Sequence, residues 1–201
     1  MEKAIDRATF EALLARPASP SSDFDLNKSA EDRAKVKLRP AGVLVPIRET
    51  SAGLSLILTK RSSALKHHPG QIAFPGGRVD PTDVDHVDAA LREAEEEIGL
   101  PREIVDVIGD LPPHETITSF QMHPVLGWIR DEFDPVLEAG EVSELFEVPL
   151  CHVLETARYK IQSRRWRGQD RYFYTVPYGP YYIWGATARI LRSLADRVSG
   201  A

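Results

Sequence analysis

A single cysteine in 201 residues, Cys151, gives the chain no internal disulfide and nothing from which to build a thiolate zinc site. A reducing compartment fits that scarcity. No apolar run approaches the roughly 20 residues that cross a bilayer. The opening MEKAIDRATFEALLARP also sets acids where a secretory leader would need its apolar stretch. Both absences point to a cytoplasmic protein with no membrane partner. Basic charge is short as well: 25 Lys and Arg against 30 Asp and Glu leave a net charge of -5. There is then no general attraction to nucleic acid, and any polyanionic ligand has to be held by a local basic cluster or a metal. What is present is ordinary globular usage, 42% apolar and 27% charged, in a length that suits one domain with a terminal extension.

Residues 9–15 place Phe10, Leu13 and Leu14 at helical spacing, and 17–32 bring Pro, Ser and Asp in quick succession. This predicts a short helix and loose linker over 1–34, ahead of a compact domain over 35–201. VKLRPAGVLVPI and GLSLILTK read as strands, followed over 61–85 by a turn-rich stretch far longer than a usual connection. A helix is predicted over 85–98, closed by Gly99 and Pro101. IVDVIGDL, ETITSF, MHPVLGWI and ELFEVPL read as further strands, 157–176 as a hairpin turning at 167–170, and the chain ends in a helix with Ala186, Ile190, Leu191, Leu194 and Val198 as its apolar stripe. The expected class is α/β (α+β), a mixed β-sheet sandwiched between helices, and not a doubly wound array.

The segment GGRVDPTDVDHVDAALREAEEEIGL, residues 76–100, carries the chemistry. On a helical wheel Val87, Ala90, Leu91, Ala94 and Ile98 share one face, while Glu93, Glu96 and Glu97 gather on the other. Carboxylates at such spacing repel by about a few tenths of a kcal/mol per pair. A hard divalent cation, Mg²⁺ or Mn²⁺, reverses that sign. Arg92 stands four residues before Glu96, where it can hold that carboxylate in place. A solvated acidic face is the commoner fate of such a helix. The preceding PGG favours the metal reading, since glycines let backbone N–H groups approach a phosphate.

This stretch resembles the Nudix box, G-x5-E-x7-R-E-U-x-E-E-x-G-U with U aliphatic, and Arg92 to Leu100 match its second half throughout. Two departures stand in its first half: Asp83 occupies the place of the first glutamate, and the interval to Arg92 is one residue longer. Asp83 is therefore not taken as a ligand. Upstream, LTKRSSALKHHPGQIAFPGG is similar to the additional motif of the coenzyme A branch of that superfamily, through Thr59, Arg61, Ser62, Gly70, Phe74, Pro75, Gly76 and Gly77. Lys66 stands where that motif has a second arginine. EVSELFEVPL and YYIWGATARIL are similar to segments of the same branch.

The resemblance implies a Nudix fold and hydrolysis of a P–O–P linkage by a metal-activated water. Glu93, Glu96 and Glu97 would hold Mg²⁺ or Mn²⁺, Arg92 would orient them, and Gly76 and Gly77 would shape the turn beside the diphosphate. Arg61 and Lys66, with Lys60, would contact phosphate. Glu144 is the first choice of general base, with Glu141 and a box glutamate such as Glu96 behind it. The implied substrate is CoA or an acyl-CoA, cut to 3′,5′-ADP and 4′-phosphopantetheine or its acyl form. The alternatives are another nucleoside diphosphate derivative (ADP-ribose, NADH or a nucleotide sugar) and a Nudix-fold binding module without catalysis. His67 and His68 read as loop residues, His114 and His123 as ordinary strand or turn residues. Arg164, Arg165 and Arg167 fit either nucleotide contact or a charged edge strand. A homodimer through the apolar face of the first helix is possible, unless that face folds back on its own domain.

Overall fold

The structure, a computed structural model, describes residues 6–27, 37–166 and 168–200. Along them run α1 (Arg7–Leu14), β1 (Ser21–Ser22), β2 (Arg39–Thr50), β3 (Gly53–Arg61), β4 (Ile72–Ala73), β5 (Gly76–Arg78) and α2 (His86–Ile98). There follow β6 (Val105–Asp110), β7 (His114–Glu115), β8 (Phe120–Ile129), β9 (Val142–Pro149), α3 (Leu150–Leu154), β10 (Lys160–Trp166), β11 (Gln169–Thr175) and α4 (Gly185–Ser199).

Strand β2 organises the rest. It runs parallel to β8 from Arg39↔Phe120 to Arg48↔Ile129, and its other edge is shared between β5 and β3, both antiparallel. β9 extends the sheet beyond β3, and β6 and β7 lie along β8. The result is the mixed sheet expected from the sequence. Its central strands are apolar on both faces, as strands covered on both sides must be. Val43, Val45, Ile47, Leu56, Leu58, Leu126 and Trp128 enter a core shared with α1, α3 and α4. Leu44, Ile57, Val125 and Ile129 enter a second core under α2. No helix among the described residues is long and apolar enough to cross a membrane.

Three expectations differ from the structure, each for a local reason. ETITSF is mostly turn: Thr116 Oγ1 accepts the Phe120 N–H at 3.0 Å, and Ser119 has φ of 68°, so the chain reverses between β7 and β8. The long stretch over 61–85 contains two short strands, β4 and β5. Residues 6–27 are not a loose appendage. Phe10 is wholly buried and Leu14 nearly so, both in the α4-side core. β1 pairs in parallel with β7, and the buried His114 bonds the Ser21 hydroxyl at 2.9 Å and Asp23 at 3.2 Å. His114 is thus the latch of the N-terminal segment. The boundary placed between residues 34 and 35 lies outside the described residues. The apolar face of α1 folds back on its own chain through Phe10 and Leu14.

If this packing holds, Phe10→Ala removes a fully buried aromatic and costs about 3–5 kcal/mol, read by urea denaturation. A loss well under about 1 kcal/mol would mean that α1 is loosely attached after all.

Candidate active site

The site is built where α2 crosses β2 and β5. Asp85 caps the helix by accepting the N–H groups of Val87 and Asp88, both at 2.9 Å, and Gly99 ends it at φ of 67°. The approach of helix to strand is close: a Cβ on Gly42 would lie 2.1 Å from the His86 carbonyl oxygen. Gly42 pairs with Gly77 and Val43 with Gly76, so the Gly76–Gly77 turn is fixed beneath the helix. Glycine is required there twice over. Gly76 has φ of 154° and rests on Gly42 and Val43, and a Cβ on Gly77 would lie 2.3 Å from the Glu93 carboxylate.

The three box glutamates do not share one solvated face. Glu97 is only 4% exposed and accepts the Gly76 N–H at 3.3 Å. Glu93 turns to Gly77 with 18% of its side chain exposed, whereas Glu96 is 60% exposed. Burial pushes the Glu97 carboxyl up to about 8; Glu93 and Glu141 push in the same direction, while Gly76 N–H and Arg61 oppose them. Burial likewise raises Glu93, against the pull of Arg92. Acidic groups are therefore gathered under the glycine turn, where ionising both of them is costly.

Arg92 binds more partners than Glu96 alone. Its Nε and Nη2 donate to the two oxygens of Asp83 at 2.8 and 2.9 Å, a two-pronged grip. Nη1 donates to Glu93 and to Glu96, each at 3.0 Å, and Nη2 reaches the Arg78 carbonyl at 3.2 Å. The Arg92 contact holds Asp83, whose side chain is 2% exposed, down at about 2. Asp83 thus anchors the arginine that holds the acids, a role absent from the sequence reading. Its place at the first glutamate of the box was the available signal.

The loop into β9 is tied to the end of α2. The Val136 and Glu138 N–H groups donate to the carbonyls of Ile98 and Glu97 at 3.1 and 3.0 Å, using acceptors that a helix end leaves open. That loop delivers Glu141, whose charge is felt by both Glu93 and Glu97. Glu144 belongs elsewhere. Its strand neighbour Phe146 enters the α4-side core, and Glu144 accepts the Tyr181 hydroxyl at 2.5 Å and lies 3.9 Å from Lys60 Nζ. Arg61 follows a bulge between Lys60 and Arg61 and acts on Glu97. Lys66, His67 and His68 are exposed in the following turn, and no described contact joins Lys66 to the carboxylates.

Among the described residues no three His, Cys, Asp or Glu groups already stand in ligand geometry. The donor set nonetheless fits a hard divalent cation. It is all oxygen, and it includes a buried carboxylate with a single described hydrogen bond beside a second, partly shielded carboxylate. Arg92 draws Glu93 and Glu96 to itself.

The sequence profile described as the NUDIX domain matches residues 38–174. The chain belongs to the Nudix family and is a Nudix hydrolase, of the class that hydrolyses pyrophosphate linkages in nucleoside diphosphate derivatives and generally uses divalent metals such as Mg²⁺. Among its relatives, proteins named uncharacterized Nudix hydrolase NudL from Klebsiella pneumoniae and Escherichia coli are 45% and 43% identical over 178 residues, which is 88% of this chain and 92% of theirs. The fold is similar to that of a MutT protein from Methanosarcina mazei (18% identity, TM-score 0.52, 83% of this chain and 96% of that one). It is also similar to a MutT/nudix family protein from Enterococcus faecalis (14% identity, TM-score 0.52, 98% and 75%).

Because the Asp83 carboxyl lies below its usual value near 3.9, its contribution to stability is present above about pH 4 and is lost as pH falls toward 2. Asp83→Asn should melt at a lower temperature than the parent at pH 7, with the gap narrowing below pH 4. A gap that stays constant down to pH 2.5 would mean that the Asp83–Arg92 grip is not formed.

Proposed function

We propose that the chain hydrolyses the pyrophosphate bond of CoA or an acyl-CoA, with Mg²⁺ or Mn²⁺, giving 3′,5′-ADP and 4′-phosphopantetheine or its acyl form. The observation that supports a pyrophosphatase most directly is the pair of shielded carboxylates, Glu93 and Glu97, under a glycine turn with Arg61 alongside. A cation held there would activate water and neutralise phosphate oxygens. The chain's own residues position. Glu93, Glu96 and Glu97 hold the cation, Arg92 orients them from its Asp83 anchor, and the Gly76–Gly77 backbone leaves room for the diphosphate.

The coenzyme A reading rests on the stretch 58–77, which frames this site. Thr59 donates to the Ala73 carbonyl at 3.2 Å, pinning β4 to β3. Buried Ser62 donates its N–H to the Glu141 carbonyl at 2.7 Å, and Gly70, at φ of 70°, donates to the Arg61 carbonyl at 3.1 Å. The backbone of Arg61 is thereby fixed at the end of β3, its charge acting on Glu97, while Lys66 in the exposed turn would serve the substrate's far end. Of the two candidate bases, Glu141 is the better placed, because its carboxylate shares the field of Glu93 and Glu97 and Glu144 is occupied by Tyr181. A binding module without catalysis has no use for so strained a set of acids.

Two measurements test the reading. In a substrate panel with Mg²⁺, CoA should be turned over far faster than ADP-ribose, NADH or nucleotide sugars; the reverse ranking would defeat the coenzyme A assignment and leave another nucleoside diphosphate derivative as substrate. Glu97→Gln should lower kcat by orders of magnitude while the melting temperature of the metal-free protein holds or rises, since the folded protein no longer has to protonate a buried carboxyl at neutral pH. Glu141→Gln should cost about 10²–10⁴-fold in kcat, and Glu144→Gln much less. Full activity in Glu97→Gln would remove the metal role from this helix.

A further inference from the structure

Strand β9 does not pair evenly with β3. From Ser55↔Pro149 to Lys60↔Glu144 the two run in step, and then the register slips: Arg61 faces Val142, with Ser143 as the extra residue. A bulge of this kind re-aims the chain beyond it and is common beside active sites. Two observations show what is re-aimed here. Glu144 bonds Tyr181, and Phe146 and Val148 enter the α4-side core, so strict alternation would put Val142 on that side too. Val142 is instead 3% exposed in the core under α2. Unbroken pairing would also set Ser143 opposite Arg61 and Val142 opposite Ser62. With the bulge it is Glu141 that meets Ser62, whose N–H donates to the Glu141 carbonyl at 2.7 Å. Glu141 is thereby advanced by one residue, about 3.4 Å, along the edge of β3.

A bulge disrupts the ladder, and Ser143 supplies a replacement bond from its side chain. Its hydroxyl donates to the Lys60 carbonyl at 3.1 Å and lies 3.5 Å from the Arg61 carbonyl. The main chain of Glu141 is held on its other side as well. Its N–H donates to the Glu138 carbonyl at 2.9 Å, and the Glu138 N–H donates to the Glu97 carbonyl at 3.0 Å. The bulge and the helix that carries Glu97 therefore grip the same short segment from opposite ends. Arg61 and Glu141 lie just past the bulge on either strand, and both act on Glu97.

We propose that Ser143 is a positioning residue for the hydrolysis: its hydroxyl holds the bulge and so fixes Glu141 at the edge of the carboxylate site. It acts through Glu141 and not on the substrate. The inference rests on the reading of Glu141 as the base and is independent of the coenzyme A assignment.

The test is steady-state kinetics of the full chain with Mg²⁺, on CoA or, should another compound of the panel be cleaved faster, on that one. Ser143→Ala should lower kcat about tenfold and leave KM within about twofold of the parent. Ser143→Thr, which keeps the hydroxyl, should recover most of kcat. In a Glu141→Gln background, Ser143→Ala should cost less than about a further twofold, because the group it positions has already lost its function. Ser143 is exposed, and the melting temperature of Ser143→Ala should stay within about 4 °C of the parent. A kcat in Ser143→Ala within twofold of the parent, equal losses in the alanine and threonine variants, or losses that multiply in the double variant would each overturn the proposal. If Glu141→Gln is slow in those cases, the base reading survives alone. Full kcat in Glu141→Gln would overturn the base reading and this inference with it.

Discussion

The grip of Arg92 on Asp83 is the constraint from which the rest of the site follows. A guanidinium held by both oxygens of a shielded aspartate cannot swing away, and its remaining donors are then presented to Glu93 and Glu96 at fixed distances. Without that anchor one arginine would face three acids on a mobile stem, and the side chains on α2 would separate under their own repulsion. With it, Glu97 alone is left to be satisfied by the glycine turn, and burial makes its negative form costly. Local instability of this kind is what a cation-binding site requires, because the energy of binding is then set against charges already brought together.

The sheet divides labour between its two faces. The α2 side carries the acids, and the α4 side carries the tyrosines and the hairpin. Glu141 and Glu144, three residues apart, fall to different sides of this division. The first is delivered by a loop fastened to the last carbonyls of α2, and the second belongs to a strand that alternates into the α4-side core. Two acids that look equivalent in the chain are given different neighbours by the pleat.

Much of this was legible in the residues. Asp85 and Gly99 marked both ends of α2, the apolar runs of β2 and β3 announced strands, and the glycines before the helix pointed to close backbone approach. Other parts had no local signal. Helical spacing placed Glu97 with the solvated acids, yet the turn formed by β5 covers it, and that turn exists only because Gly76 and Gly77 pair with β2 some thirty residues earlier. The N-terminal segment looked loose because Ser, Pro and Asp favour turns, while its attachment depends on His114, far along the chain. The backbone bonds of Val136 and Glu138 leave no trace in side-chain identity at all.

The parallel pairing of β2 with β8 joins residues about eighty positions apart, with β3, β5 and α2 all threaded between them. Loop closure over such a span precedes any reward from the contacts it makes, which places this chain among slow-folding topologies. The cover over Glu97 is thus not a property of the helix that carries it: it comes from β5, held on one edge of the strand whose other edge this long-range pairing occupies.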